Sequence, residues 1–290
     1  MDERTWRARQ AAHRARVEPW VTPRLDRRRR GDKHATDDFL FEYYPFSPSK
    51  LLTWHPGAGV VLEGDADEFL AHAAYRRTST GVTLDPAGMS SRRQRLEVAI
   101  RVLEGTRERE PNLGCFALHE WAMVYGLQQH EIRHNALPLR LSPDEIRSTV
   151  DEIGLRCTHI DAYRFFTPDA TAMNALEPTR ATQPDLEQPG CLHANMDLYK
   201  YGMWLSPYVG SELIADAFEV ARAARALDMQ ASPYDSTVLG LEPVRVETTD
   251  GRREYATRQR DIMTSAEPVR ARLLTALGEL QSMLDEPVSP

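Results

Sequence analysis

The chain is poor in cysteine. Cys115, Cys157 and Cys191 are its three, widely spaced and without a Cys-x-x-Cys pair. That argues against a disulfide framework and against a cysteine zinc site, and it leads us to expect a reducing, cytoplasmic setting. Long apolar runs are also missing. None approaches the roughly 18–20 residues of a membrane span, so no membrane partner is expected. The opening Met1-Asp2-Glu3-Arg4-Thr5-Trp6 lacks the apolar core of a secretion signal. Positive charge is in deficit: 36 Lys and Arg stand against 43 Asp and Glu, a net charge of −7. This is not the footprint of a general nucleic-acid binder, although a local basic patch is still allowed. The chain has no glycine-rich phosphate loop, no serine nucleophile elbow and no solenoid repeat.

What is present is an ordinary globular composition, 41% hydrophobic and 27% charged over 290 residues. The pattern predicts a mainly α protein: a single helical domain over 1–290 with a few short strands, one C-terminal β-hairpin and a basic N-terminal helix and arm over 1–36. A helix is expected over 4–18, interrupted by Pro19 and Pro23. Further helices are expected over 65–77, 91–109 and about 116–134. Ser142-Pro143-Asp144-Glu145 marks a helix start that runs to Gly154. Short strands are expected at 60–62 and 81–84, and another is possible over 155–165. A helix over 211–227 follows. Val244 to Tyr255 reads as a hairpin with Asp250-Gly251 at its tip. Two helices, broken near Pro268, then end the chain.

Two segments concentrate chemistry. The first runs from Gly114 to His134 and holds His119, Glu120, Trp121, Tyr125, His130 and His134. His130-Glu131-x-x-His134 has the spacing that places two ligands on one helix face, with Glu131 to activate water. Its surroundings are polar and no third ligand follows, so an exposed helix end is the plainer reading. The second segment, Gly190 to Trp204, holds His193, Asn195, Asp197, Tyr199, Lys200 and Tyr201. His193 and Asp197 lie one helical turn apart, and an Asp beside a His and a Lys is held ionised and oriented. His159-x-Asp161 with His193 supplies the residue types of a two-histidine, one-carboxylate iron site. The aromatics Trp121, Tyr125, Tyr199 and Tyr201, with Tyr234 and Asp235, suit a pocket for a planar ring or base. The two segments are expected to face each other across one site. Arg27 to Arg30 offers either a solvated loop or a phosphate-binding arm.

The runs 29–34, 54–57, 114–125, 190–200 and 231–235 resemble a bacterial family labelled 3-methyladenine DNA glycosylase. The resemblance implies hydrolysis of an N-glycosidic bond to an alkylated purine, with DNA as partner through Arg27 to Arg30. A flipped base would stack between aromatics while a carboxylate assists attack. Asp197 and Asp161 are the carboxylates that fit this role, with His193 and Glu120 orienting or transferring protons. His119, Trp121, Tyr125, Tyr199, Lys200, Tyr201, Asn195, Tyr234 and Asp235 would line the substrate. The helix-hairpin-helix and helical-repeat signatures of the known glycosylase types are absent from this chain. Two alternatives stand beside it. One is a zinc or iron enzyme acting on a small molecule, with ligands drawn from His119, His130, His134, His159 and His193. The other is a helical binding protein for a planar ligand.

Overall fold

Two prolines that should interrupt the first helix do not. The computed structural model describes residues 1–132 and 137–285, and α1 runs unbroken over Glu3–Arg30, through Pro19 and Pro23. Each internal proline loses a backbone hydrogen bond and costs about 3 kcal/mol. Burial offsets this: Trp6, Val17 and Val21 are wholly buried on one face, each contributing about 1.5–3 kcal/mol. Both ends are also fixed. Asp2 accepts from Thr5 N at 2.9 Å, and Gly31 closes the helix in the left-handed conformation, φ 78°.

The chain continues through α2 (Phe39–Tyr43) and α3 (Pro48–Leu52). A small antiparallel sheet follows, of β1 (Val61–Leu62), β2 (Tyr75–Arg77) and β3 (Val82–Leu84), in the order β1-β3-β2. The expected strands at 60–62 and 81–84 are therefore present. The helix expected over 65–77 is not. A single 3₁₀ turn over Asp67–Ala71 buries Phe69, and the chain then enters β2, where Tyr75 pairs with Leu84. One buried side chain per turn is too little apolar surface to hold a longer helix there.

After α4 (Arg93–Glu108), helix among the described residues of the central stretch is limited to α5 (Leu118–Ala122) and a 3₁₀ turn at Gln129–Glu131. Gly126, at φ 76°, lies between them in a backbone region that a helix does not use. The continuous helix expected over 116–134 is thus corrected. The Ser142 capping box forms as expected at the start of α6 (Pro143–Ile153). In place of a strand over 155–165, Leu155 makes one bridge to Asn174, and His159 caps α7 (Ile160–Tyr163). Then come α8 (Pro168–Met173), α9 (Gln183–Leu186), α10 (Leu192–Trp204), α11 (Ser211–Ala231) and α12 (Thr249–Asp285).

The C-terminal hairpin is also corrected. Asp250 and Gly251 lie in the first turn of α12, where Thr248 Oγ1 accepts from Gly251 N at 3.0 Å. A Cβ at Gly251 would stand 1.9 Å from the Arg245 carbonyl oxygen. Glycine is there for close backbone approach, not to turn a hairpin. α12 also continues through Pro268 without a break.

The chain forms two compact units. Unit 1 comprises Met1–Arg101, Leu198–Glu219 and Pro268–Pro290; unit 2 comprises Val102–Asp197 and Val220–Glu267. Unit 1 contains α1, the sheet and an aromatic core in which Tyr199 meets Tyr44, Phe46 and Phe218 edge-on. The chemistry lies in unit 2.

Candidate metal centre

Five segments of unit 2 bring ligand-type side chains inward, among them the N-cap of α7 with His159. The first turns of α10 are buried all round: Leu192, Ala194 and Met196 are enclosed, and so are the polar residues between them. A polar residue on such a helix must find its partners inside the protein. Asn195 does so by donating to the Pro189 carbonyl at 3.0 Å. His193 and Asp197, one turn apart, are buried to 4% and 0% exposure. α5 presents His119. The chain enters it through Phe116 and Ala117, both left-handed at φ 46° and 54°. That conformation costs a non-glycine residue roughly 1–2 kcal/mol, and such strain gathers at functional sites. α11 presents Asp228. Glu187 follows the last turn of α9.

His119, His193 and Asp228 form one cluster, with one ligand atom from each lying within 4.8 Å of the others. His119 Nε2 stands 2.8 Å from Asp228 Oδ1. Despite this distance the two atoms are not hydrogen-bonded, and neither has another hydrogen-bond partner among the described residues. The oxygen therefore lies off the ring's N–H direction. Two donors about 2.1 Å from one ion stand roughly 3 Å apart with no such directional requirement. A close, misdirected and buried N···O pair is what a cation between them would leave. The other Asp228 oxygen accepts from Arg225 Nη1 at 2.7 Å, and the same nitrogen reaches Glu120 Oε1 at 2.7 Å. Burial pushes the Asp228 carboxyl up, but His119 and Arg225 overcome this and hold it well below the usual carboxylate range. Burial pushes His119 down, and Asp228 more than restores it. His193 is pushed well down by burial and then by His119, so it stays neutral.

His159, Glu187 and Asp197 form a second cluster of the same kind, and all three are buried. Its internal chemistry differs. His159 Nε2 donates to Asp197 Oδ2 at 3.3 Å and lies 3.0 Å from Glu187 Oε1. Gln183 Nε2 donates to the same Glu187 oxygen at 2.6 Å. His159 Nδ1 accepts from the Asp161 backbone N–H at 3.2 Å and so caps α7. Burial lowers the His159 pKa, and Glu187 and Asp197 more than reverse this, raising it to about 10. The carboxylates thus favour a proton on Nε2, while the cap, which needs Nδ1 as acceptor, opposes a second one on Nδ1. A metal-ligating histidine usually donates its second N–H outward. His159 has the opposite polarity, so its cluster is filled by a proton.

The two clusters meet at His193, whose ring is 4.6 Å from the His119 ring and 5.2 Å from the His159 ring, centroid to centroid. All three histidines line one internal cavity of about 20 Å³, room for about one water molecule. The three cysteines line it too. Burial pushes each thiol up in pKa, Cys157 to about 12, so all are protonated and poor nucleophiles near neutrality.

The expected site residues divide sharply. His119, His159, His193 and Asp197 come together. Asp161, expected as a catalytic carboxylate and as an iron ligand beside His159, is bound bidentately by Arg180 and approached by Arg164 at 3.4 Å. Glu120 is ion-paired with Arg225. Trp121 is core, its Nε1 donating to the Ala231 carbonyl at 2.8 Å. Tyr125 donates to Asp151 at 2.7 Å. Tyr234 is buried, and Asp235 caps the 3₁₀ turn at Ser236–Leu239. Tyr199, Lys200 and Tyr201 belong to unit 1, where Lys200 Nζ sits 4.7 Å over the Tyr201 ring. His130 is exposed on its 3₁₀ turn, and His134 lies outside the described residues. In the arginine run, Arg27 pairs with Asp38, Arg29 with Asp26 and Arg30 with Asp32. Among the described residues, no helix is long and apolar enough to cross a membrane.

Asp228, Glu187 and Arg225 were missed from sequence. Asp228 carried a usable signal. Ala217, Ala221 and Ala224 form a buried stripe on α11, and Asp228 takes the next place in it. An acid in a core stripe needs a partner. Glu187, in a proline-rich loop, gave no such signal.

No protein family, no curated protein and no solved structure matches the chain.

Proposed function

We propose that this protein is a metal-dependent enzyme acting on a small molecule, with His119, His193 and Asp228 as the metal ligands. The supporting observation is the buried His119–Asp228 pair, close in distance and wrong in direction for a hydrogen bond. Two histidines and one carboxylate suit iron(II) or zinc and leave positions open for water or substrate. A metal bound there supplies Lewis acidity or an activated water. Around it, Arg225 holds the second Asp228 oxygen and orients the carboxylate. The neighbouring His159 cluster keeps a charged group fixed beside His193 without competing for the ion. The cavity confines the reacting group to the size of a water or a similarly small ligand.

The test is metal content after loading full-length protein with zinc or iron(II). One equivalent is expected, lost in His119→Ala and in Asp228→Asn and kept in Asp161→Asn. Full loading of Asp228→Asn would sink the assignment. Hydrolysis of alkylated purine from DNA, the activity implied by the sequence resemblance, is a separate reading with a separate test. Pockets for drug-sized ligands run to roughly 300–1,000 Å³, so a purine would require the cavity wall to open. Release of free base from alkylated DNA, abolished in Asp197→Asn, would establish it.

A further inference from the structure

Besides His119 Nε2, one further polar group in the cavity wall makes no hydrogen bond among the described residues. Tyr255, on α12, is 0% exposed and lines the same space as His119 and His193. Its hydroxyl makes no hydrogen bond of acceptable geometry among the described residues; the polar group beside it is the Cys115 thiol, a weak partner. The ring cannot turn away to reach water. It packs edge-on against Phe116, centroids 6.0 Å apart, in the strained entry to α5. One turn further along α12, Gln259 ties the wall together, donating to the Gly190 carbonyl at 2.6 Å and contacting Cys115 Sγ at 3.3 Å. A buried phenol held still beside only a weak partner is unfavourable unless something else in the cavity accepts its proton.

We propose that Tyr255 is the hydrogen-bond donor to a small anionic ligand, such as hydroxide, held at the His119–His193–Asp228 centre. The inference rests on the metal reading above and adds the ligand's class and its polar anchor. An anion is favoured over a neutral molecule because a hydrogen bond to a charged acceptor is stronger, and a metal supplies the countercharge. The cavity admits a ligand no wider than water, which excludes bulky carboxylates as the group held between the metal and Tyr255.

Azide, no wider than a water molecule across its axis, is the probe, and failure of cobalt-loaded wild type to bind it overturns the inference. Full-length protein is loaded with cobalt(II), and azide is titrated by visible absorption in wild type and in Tyr255→Phe. Phenylalanine removes only the hydroxyl, whose polar neighbour in the protein is the weakly bonding Cys115 thiol, so cobalt stoichiometry and melting temperature should hold. The azide dissociation constant should rise about tenfold. A constant within twofold of wild type, at full cobalt loading, overturns the inference and leaves the metal reading standing. Loss of cobalt in Tyr255→Phe also overturns it, since the residue would then support the ligands and not the anion. If wild type takes up no cobalt, the metal reading fails and this inference with it.

Discussion

The two histidine–carboxylate clusters of unit 2 contain the same residue types at similar distances, yet they are chemically different. In the His159 cluster each side chain has a hydrogen-bond partner: Nε2 donates to Asp197, Gln183 donates to Glu187, and Nδ1 accepts from the backbone, while the 3.0 Å approach of Nε2 to Glu187 is an ion-pair contact beside that one proton. In the His119 cluster the closest contact, 2.8 Å, is not a hydrogen bond. Proximity of ligand atoms therefore does not by itself identify a metal site. The direction of approach and the tautomer required by the second ring nitrogen separate a filled network from an open one.

The largest expected effect tests that contrast through stability. His159→Ala would leave Glu187 and Asp197 buried without their shared donor, and removing one partner of a buried charged network costs about 3–5 kcal/mol. His119→Ala in metal-free protein should cost clearly less, because Nε2 makes no hydrogen bond and Arg225 still holds Asp228. Urea denaturation of chelator-treated variants measures both. Equal losses would erase the distinction.

A second prediction uses a histidine outside both clusters. His55, in unit 1, accepts or donates at Nδ1 with the Tyr75 hydroxyl at 3.0 Å and faces the His72 ring at 5.3 Å. Burial, then His72 and His13, lower its pKa from 6.5 to about 4. The unfolded chain takes up this proton first as pH falls. The contribution is thus complete above pH 6.5 and is lost as pH falls from there to about 4, a change of roughly 3 kcal/mol. His13 and His193 are shifted the same way. His55→Asn should remove its share of this acid-side slope while leaving metal uptake unchanged. An unaltered slope would show that His55 titrates normally in the folded protein.

Next comes stabilisation by metal. Zinc at about 100 times its dissociation constant should raise unfolding stability by about 2.7 kcal/mol. The gain should persist in His159→Gln if that variant folds, and vanish in His119→Gln. Thermal melts with and without zinc read this directly, and a gain that survives His119→Gln but not His159→Gln would exchange the roles of the two clusters.

Much of the fold was legible from sequence, because caps and apolar periodicity are local. The Ser142 box, α4, α10, α11 and the strands near 61 and 82 follow from their own residues. Proline misled twice, in α1 and α12, since burial elsewhere along each helix outweighs a local penalty. The site was half legible. His119, His159, His193 and Asp197 stood out as polar residues in apolar or aromatic company. Their partners did not. Asp228 lies 109 residues from His119 in sequence (228 − 119), and no local pattern records that approach. The aromatics expected to line a pocket show a related effect: residues clustered in sequence pack as core, and Trp121 and Tyr199 are wholly buried.

The smallest predicted effect concerns the motif that looks most like a metal site. His130 is exposed on a three-residue 3₁₀ turn, held by a capping box between Gln128 and Glu131. Glu131 is occupied there, its carboxylate accepting from Gln128 N at 2.7 Å. The helical geometry that would align the first and last histidines of this spacing is not formed at His130, and an exposed side chain without a buried partner contributes little to stability. His130→Ala should therefore change stability by less than about 0.5 kcal/mol and leave metal stoichiometry at the wild-type value. A halved metal content in this variant would move the centre out of the His119 cluster and back to the sequence motif.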